Sequence, residues 1–228
     1  MEMLPNIPLY EILEELGRGS TGIVFKVRDK EVHRVAALKT LIPMSGHERI
    51  VRSQRFLREA RCNACCRHPN IVQVFQVGDY TGQPYILREF VDGEALQAIL
   101  QKNVFSAREA CKIVEILTKA MQCVHSQGLI HHNLTPANVL MATDGTLKLI
   151  GFSKVRAMDD ASSPESVGTD IQALGVMLYH LMTREYWLPE GRLPDELTKI
   201  CLRCSNAEPE KQYQNVSELA ADLRRYLG

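Results

Sequence analysis

The chain has 228 residues, room for one domain or two small ones. Its 27 Lys and Arg balance 27 Asp and Glu, so the formal net charge is zero, which argues against non-specific nucleic-acid binding. Apolar residues make up 45% and charged residues 24%, a globular rather than a disordered balance, and no apolar run reaches the roughly 18 residues of a membrane span.

The front of the chain reads as short strands with one helix. Tyr10–Gly17, Ile23–Arg28 and Val32–Leu41 are β-branched or apolar-rich runs separated by glycine or charged turns. Glu48–Arg67 is a charged helix. His68-Pro69-Asn70 stops it, because the residue before proline leaves the helical region. Ile71–Val77 and Pro84–Val91 make two more strands, with Gly78 and Gly82 marking the turn. From Glu94 the apolar period shifts toward that of a helix. Ser106-Ala-Arg-Glu109 is a capping box, and the helix behind it carries Ala110, Ile113, Val114, Leu117, Met121 and Val124 on one stripe up to Gly128. Val139–Met141 and Leu147–Ile150 form a hairpin around Asp144-Gly145. Thr169–Met182 is an apolar, buried helix, and Leu197–Cys204 and Val216–Leu227 are two more, the last capped by Asn215. Residues 1–228 are read as one domain that changes composition near Asp92-Gly93, with a strand-rich part of about 1–91 and a helical part of about 92–228.

Met1–Gly17 is acidic and lacks the basic-then-apolar order of a secretory leader. Seven cysteines, an odd number, read as free thiols of a reducing compartment, so a cytoplasmic location is expected. The pairs Cys62/Cys65 and Cys201/Cys204 lie in helical segments and read as buried small hydrophobes rather than a shared zinc site.

Gly17-Arg-Gly19-Ser-Thr-Gly22 sits between two predicted strands. No helix follows it, so it is not a dinucleotide-binding fingerprint. Ala36-Ala37-Leu38-Lys39 follows on a strand, then a helix with Glu59, then His68-Pro69-Asn70-Ile71-Val72. This ordered set resembles the small lobe of protein kinases. His131-His132-Asn133-Leu134-Thr135-Pro136-Ala137-Asn138-Val139-Leu140 resembles the kinase catalytic loop. Gly151-Phe152-Ser153 stands where the metal-binding D-F-G would be, and Ser163-Pro164-Glu165 stands for A-P-E. Thr169–Gly175 resembles the start of the buried sixth helix of the large lobe. The resemblance covers nearly the whole chain and is strongest to bacterial Ser/Thr kinases of the eukaryotic type. It implies an α+β, bilobal fold: a five-stranded N-lobe with one helix and a mainly helical C-lobe. It also implies a shortened activation segment and a missing or reduced αG helix.

The resemblance assigns nucleotide-binding positions to Gly17, Gly19, Gly22, Val24, Ala37, Lys39, Glu59, Arg88, Asn138 and Leu140. Val24 and Leu140 would enclose the base, Lys39 would hold the α- and β-phosphates, Glu59 would orient Lys39, and Asn138 would help hold a second magnesium. Three positions depart from the pattern. The catalytic-loop Asp is Asn133, and an amide cannot take the acceptor hydroxyl's proton. The lysine two residues on is Thr135, so a positive charge near the transferred phosphate is gone. The D-F-G Asp is Gly151, which removes the main oxygen ligand for magnesium.

Further departures concern regulation and the pocket. The Arg of H-R-D is His132, so binding of a phosphorylated activation loop is not expected. Glu165 would face Gln212 where the family has an arginine, and Lys211 is an alternative partner. Arg88 stands at the gatekeeper position, with Glu59 as its expected carboxylate and, as the alternative, a place toward the phosphates where it would partly replace the magnesium charge, and Asn63 stands at an apolar link of the regulatory spine. Val74, Phe152 and His131, anchored by Asp170, are the other links. Taken together, these features lead to the expectation of a pseudokinase: not an enzyme, with no metal site and no required cofactor, binding ATP weakly without magnesium or not at all. Its role would be regulatory or scaffolding, through an unidentified protein partner and without nucleic acid or membrane insertion. A weak or unorthodox Ser/Thr kinase, and a non-hydrolysing nucleotide sensor, are the alternatives.

Overall fold

The computed structural model describes residues 7–19, 22–42, 47–159, 166–185 and 193–228. The chain divides into two units. One comprises Met1–Cys65 and Val72–Asp92, and the other comprises Cys66–Ile71 and Gly93–Gly228.

The first unit is an antiparallel sheet with one helix. Its strands are β1 (Tyr10–Gly19), β2 (Gly22–Asp29), β3 (Val35–Thr40), β4 (Val74–Tyr80) and β5 (Gln83–Glu89), in the order β1-β2-β3-β5-β4, and its helix is α1 (His47–Cys65). Side chains alternate across the sheet. Phe25, Val27, Ala36, Leu38, Tyr85 and Leu87 fill one core, and Phe56 and Ala60 of α1 pack with Leu41 and Ile86 in another. That second packing sets the height of Glu59, one turn of α1 beyond Phe56, next to Lys39 of β3.

The strand expected over Ile71–Val77 begins instead at Val74. Ile71 makes a parallel bridge to Leu149, and the Leu149 amide donates to Asn70 O at 2.8 Å, so this short stretch belongs to the second unit. Gly78 lies inside β4 rather than at a turn. Any Cβ there would run into the Tyr85 ring, so its glycine serves close approach across the sheet. The turn falls on Thr81 and Gly82, which take φ of 51° and 77°, and Asp79 Oδ1 accepts from the Gly82 amide at 2.7 Å.

The second unit is mainly helical. In chain order it contains β6 (Gly93–Ala95), α2 (Leu96–Lys102), α3 (Ala107–Ser126), β7 (Leu129–Ile130), β8 (Val139–Ala142), β9 (Leu147–Leu149), β10 (Arg156–Ala157), α4 (Val167–Thr183), α5 (Asp195–Cys204) and α6 (Val216–Leu227). Sequence periodicity missed α2, which is only two turns long. The Ser106 capping box is complete, and the predicted stripe of α3 is buried, packing against α4 and α6. Asn215 Oδ1 caps α6 by accepting from the Glu218 amide at 3.1 Å. Gly175 of α4 lies so close to Cys204 of α5 that a Cβ would collide with the Cys204 side chain. Cys201 and Cys204 are buried packing groups, whereas Cys65 is exposed, contrary to its reading as a buried hydrophobe. No helix among the described residues is long and apolar enough to cross a membrane.

Candidate functional site

In the first unit, β1 and β2 meet at the pair Gly19 and Gly22, which closes the glycine-rich hairpin. Residues 20–21 at its tip lie outside the described residues. Gly22 is required: a Cβ there would overlap the Thr40 carbonyl oxygen. Gly17 and Gly19 have open space where a Cβ would be. The registers Val24↔Lys39, Lys26↔Ala37, Lys39↔Ile86 and Ala37↔Arg88 place these side chains on one face of the sheet.

On that face Lys39 Nζ donates to both oxygens of Glu59, at 2.6 and 2.8 Å, and both residues are buried. Burial lowers the Lys39 pKa, Glu59 opposes the shift, and Arg88 adds to it. The expected Arg88–Glu59 pairing is not formed, and Lys39 alone donates to the Glu59 oxygens. Arg88 feels Glu59 only through longer-range attraction. Asn63, at the apolar spine position, is buried and donates through Nδ2 to Val72 O at 3.1 Å, which satisfies the amide locally.

In the second unit the catalytic-loop segment hangs from Asp170 at the start of α4. This carboxylate is fully buried and accepts from His125 Nε2 at 2.9 Å and from the amides of His131 and His132 at 2.8 and 2.9 Å. Burial works against its charge, but the bonds from His125 and the His131 amide hold its pKa below the usual carboxylate value. The His125 partner was not anticipated; its signal was a lone histidine near the end of an apolar helix. His131 donates through Nε2 to Ile150 O at 3.2 Å and accepts through Nδ1 from the Asn133 amide at 3.3 Å. Only one neutral tautomer can do both. Burial pushes its pKa down to about 4, and the Phe152 ring meets it edge-on at 4.8 Å. Its role is structural.

The three altered positions differ in their surroundings. Asn133 Nδ2 donates to Gly151 O at 3.3 Å, and Asn138 Nδ2 donates to Asn133 O at 2.8 Å. Gly151 has φ of 85°, a left-handed conformation, and a Cβ placed on it would lie 2.5 Å from both Cγ and Oδ1 of Asn138. Thr135 is exposed and does not cap the short turn Pro136–Asn138 that follows it. Val139 and Leu149 pair across the β8–β9 hairpin, and Leu140, the expected apolar floor, is half-buried opposite Lys148. Ser163-Pro164-Glu165 and residues 186–192, on which the shortened activation segment and the missing αG helix largely rest, lie outside the described residues. Gln212 donates through Nε2 to Gly168 O at 3.2 Å and to Cys204 O at 2.7 Å, so this amide ties α4 to the end of α5.

The model of the family described as "Protein kinase domain" matches residues 10–227. The chain belongs to that family. Relatives named as kinases agree with it. A probable serine/threonine-protein kinase PknB of Lactococcus lactis is 35% identical over 94% of this chain and 41% of its own length. The serine/threonine-protein kinase PknB of Mycolicibacterium smegmatis is 28% identical over 95% of this chain and 42% of its own length. A probable serine/threonine-protein kinase of Clostridium perfringens is 28% identical over 95% of this chain and 38% of its own. The chain thus spans about two fifths of the length of these relatives. The Lactococcus alignment extends over 259 positions, more than the 228 residues here, so that relative carries residues this chain lacks.

These matches correct the expectation that the chain is not an enzyme: the family and its named relatives are kinases. The physical reason is that phosphoryl transfer is positioning plus electrostatics, shared among many groups. Changing three of those groups does not take the chain out of a family whose named members are kinases. Members of the family use ATP with magnesium. The donor set here does not fit magnesium. Gly151 has no side chain, and Asn138 donates through Nδ2 to Asn133 O, so Oδ1 of Asn138 is the one side-chain oxygen these two positions offer to a cation that takes several oxygen ligands. Among the described residues no group of three or more His, Cys, Asp or Glu is placed to hold a metal ion.

Proposed function

We propose that this chain is an unorthodox Ser/Thr protein kinase domain that binds ATP through Lys39 and the glycine hairpin and transfers its γ-phosphoryl group slowly. The buried Lys39–Glu59 pair carries the reading. An ion pair buried without a task is a poor source of stability, because desolvation offsets its attraction. Here it holds an ammonium group at the position where the family binds phosphate. In the reaction the acceptor hydroxyl oxygen bonds to the γ-phosphorus while the bond to the β–γ bridging oxygen breaks and ADP leaves. Asn133 cannot take the hydroxyl proton, so the proton passes to a phosphate oxygen. Loss of a positioned base lowers the rate by about 10²- to 10⁴-fold relative to a kinase that has one. Transfer of radiolabelled phosphate from ATP to the chain or to a serine peptide, abolished by Lys39→Met, is the expected result. Label that persists in Lys39→Met would overturn the reading.

The Asn133–Gly151–Asn138 contacts favour a second role beside the first, a regulatory or scaffolding action through a protein partner. The side-chain amides of Asn133 and Asn138 both donate to backbone carbonyls, an arrangement that holds the segment without turnover and leaves the domain's surface to give an output. Replacing the native gene by Lys39→Met/Glu59→Leu, which removes the cation without stranding a buried carboxylate, separates the roles. A phenotype like wild type supports action through binding, and a phenotype like the deletion sinks it.

A further inference from the structure

The face of the sheet that carries Lys39 holds four cations, Lys26, Arg28, Lys39 and Arg88, and three carboxylate partners; Arg28 lies 3.6 Å from Glu11. Lys26 lies 3.3 Å from Glu14, and Lys39 lies 2.6 Å from Glu59. Arg88, directly across from Ala37 and two residues along β5 from the partner of Lys39, is half-buried on the same face. Among the described residues no carboxylate comes within ion-pairing distance of its guanidinium and no acceptor bonds to it, while Glu59 acts on it only from further away. An arginine cannot shed its charge in a protein. A partly desolvated guanidinium with five unused donors is a costly group unless an anion meets it. Its planar fork suits a carboxylate or a phosphate. Among the described residues the carboxylate that acts on it, Glu59, is held by Lys39, so an anion from outside the chain would meet an open guanidinium.

We propose that Arg88 supplies, in place of a metal ion, part of the positive charge that holds a nucleotide's polyphosphate, so that the chain binds ATP and ADP without magnesium. This rests on the nucleotide reading of Lys39. Arg88 and Lys39 share one face of one sheet, and Glu59 between them neutralises only one of the two. The remaining charge lies on the face of the sheet that carries Lys39. A cation built into β5 supplies positive charge without a metal ion and stays in place through binding and release.

Isothermal titration of ATP into the purified chain, in EDTA and in magnesium, tests this, with inorganic tripolyphosphate as a second probe. Wild type should bind ATP equally in both buffers and bind tripolyphosphate weakly. Arg88→Met should bind ATP at least about tenfold less tightly, the loss expected for charged hydrogen bonds, with Arg88→Lys between the two. Melting curves without ligand report folding, and Arg88→Met should melt no lower than wild type because an unpaired charge has been replaced by an apolar side chain. Equal or tighter ATP binding by Arg88→Met would overturn the proposal while leaving the nucleotide reading intact, as would binding by wild type only in magnesium. No ATP binding by wild type in either buffer would remove both.

Discussion

The two units have treated the family's polar machinery in opposite ways. In the first unit the glycine hairpin, Lys39 and Glu59 remain, and the lysine and glutamate are buried against each other at 2.6 Å. In the second unit the groups that would handle the proton and the metal are an amide and a glycine, and they are bound to each other and to Asn138. Both arrangements satisfy local hydrogen bonds. Only the first leaves a cationic face for a substrate, so binding groups are kept where reacting groups are not. The anchoring core of the second unit is nonetheless complete, from Asp170 through His131 to Phe152. Changes at the reacting positions have not required loss of fold.

The comparison breaks most readily at Lys39. Lys39→Met leaves Glu59 buried without its cation, and uncompensated burial of one partner costs about 3–5 kcal/mol. Urea denaturation should show that loss, and Lys39→Met/Glu59→Leu should recover most of it. If the single variant is as stable as wild type, the pair is solvated and the contrast between the units fails.

Acid should act first on the second unit. His131 is held neutral, with its pKa depressed to about 4 from an ordinary value of 6.5. The unfolded chain therefore binds a proton that the folded chain refuses. The contribution is full above pH 6.5 and is lost as pH falls toward 4, by about 3 kcal/mol for this shift. Asp170, the carboxylate facing it, keeps its charge through that window because its pKa is lowered. Stability measured from pH 7 to 4 should fall along this curve. His131→Phe, less stable throughout because it loses two hydrogen bonds, should flatten it. An unchanged slope in His131→Phe would assign the acid sensitivity elsewhere.

Most of the fold was legible in the sequence because its signals were local. The capping box at Ser106, the stripe of α3, the hairpin around Asp144 and the cap at Asn215 each follow from residues a few positions apart. Gly78 misled because it answers to the Tyr85 ring, a contact across the sheet rather than a turn preference. In the site, residue identities could be read but their competition could not. Sequence offered Glu59 two cations, Lys39 and Arg88, and only coordinates show that Lys39 takes both oxygens. The same holds for Gly151, whose spacing marks a missing ligand but does not reveal that Asn138 occupies the space where its Cβ would be.

Restoring the chemistry should therefore fail on structural grounds. Gly151→Asp puts a side chain into a left-handed conformation and against Asn138, with a cost of about 1–3 kcal/mol. Asn133→Asp replaces the Nδ2 donor with an acceptor facing Gly151 O, 3.3 Å away in the native loop. The triple variant Asn133→Asp/Thr135→Lys/Gly151→Asp should be less stable than wild type and should gain no robust kinase activity with magnesium. Vigorous, stable turnover in that variant would show that only the reacting groups were missing and that the loop adapts freely.

The smallest effect isolates the contact itself. Gly151→Ala carries two penalties, the positive φ and the 2.5 Å approach to Asn138. Asn138→Ala removes the second penalty at the expense of the bond to Asn133 O, worth about 1 kcal/mol. If the two residues interlock, the double variant should be more stable than the sum of the single effects predicts, by about 0.5–3 kcal/mol, the range for residues in contact. The φ strain remains in both Gly151→Ala backgrounds and cancels from the cycle, so the coupling reports only the collision. A coupling near zero would mean that Asn138 swings away at little cost. The second unit would then resemble the first, with a polar group free to meet a ligand, and the contrast between the two would lie in the absent carboxylates alone.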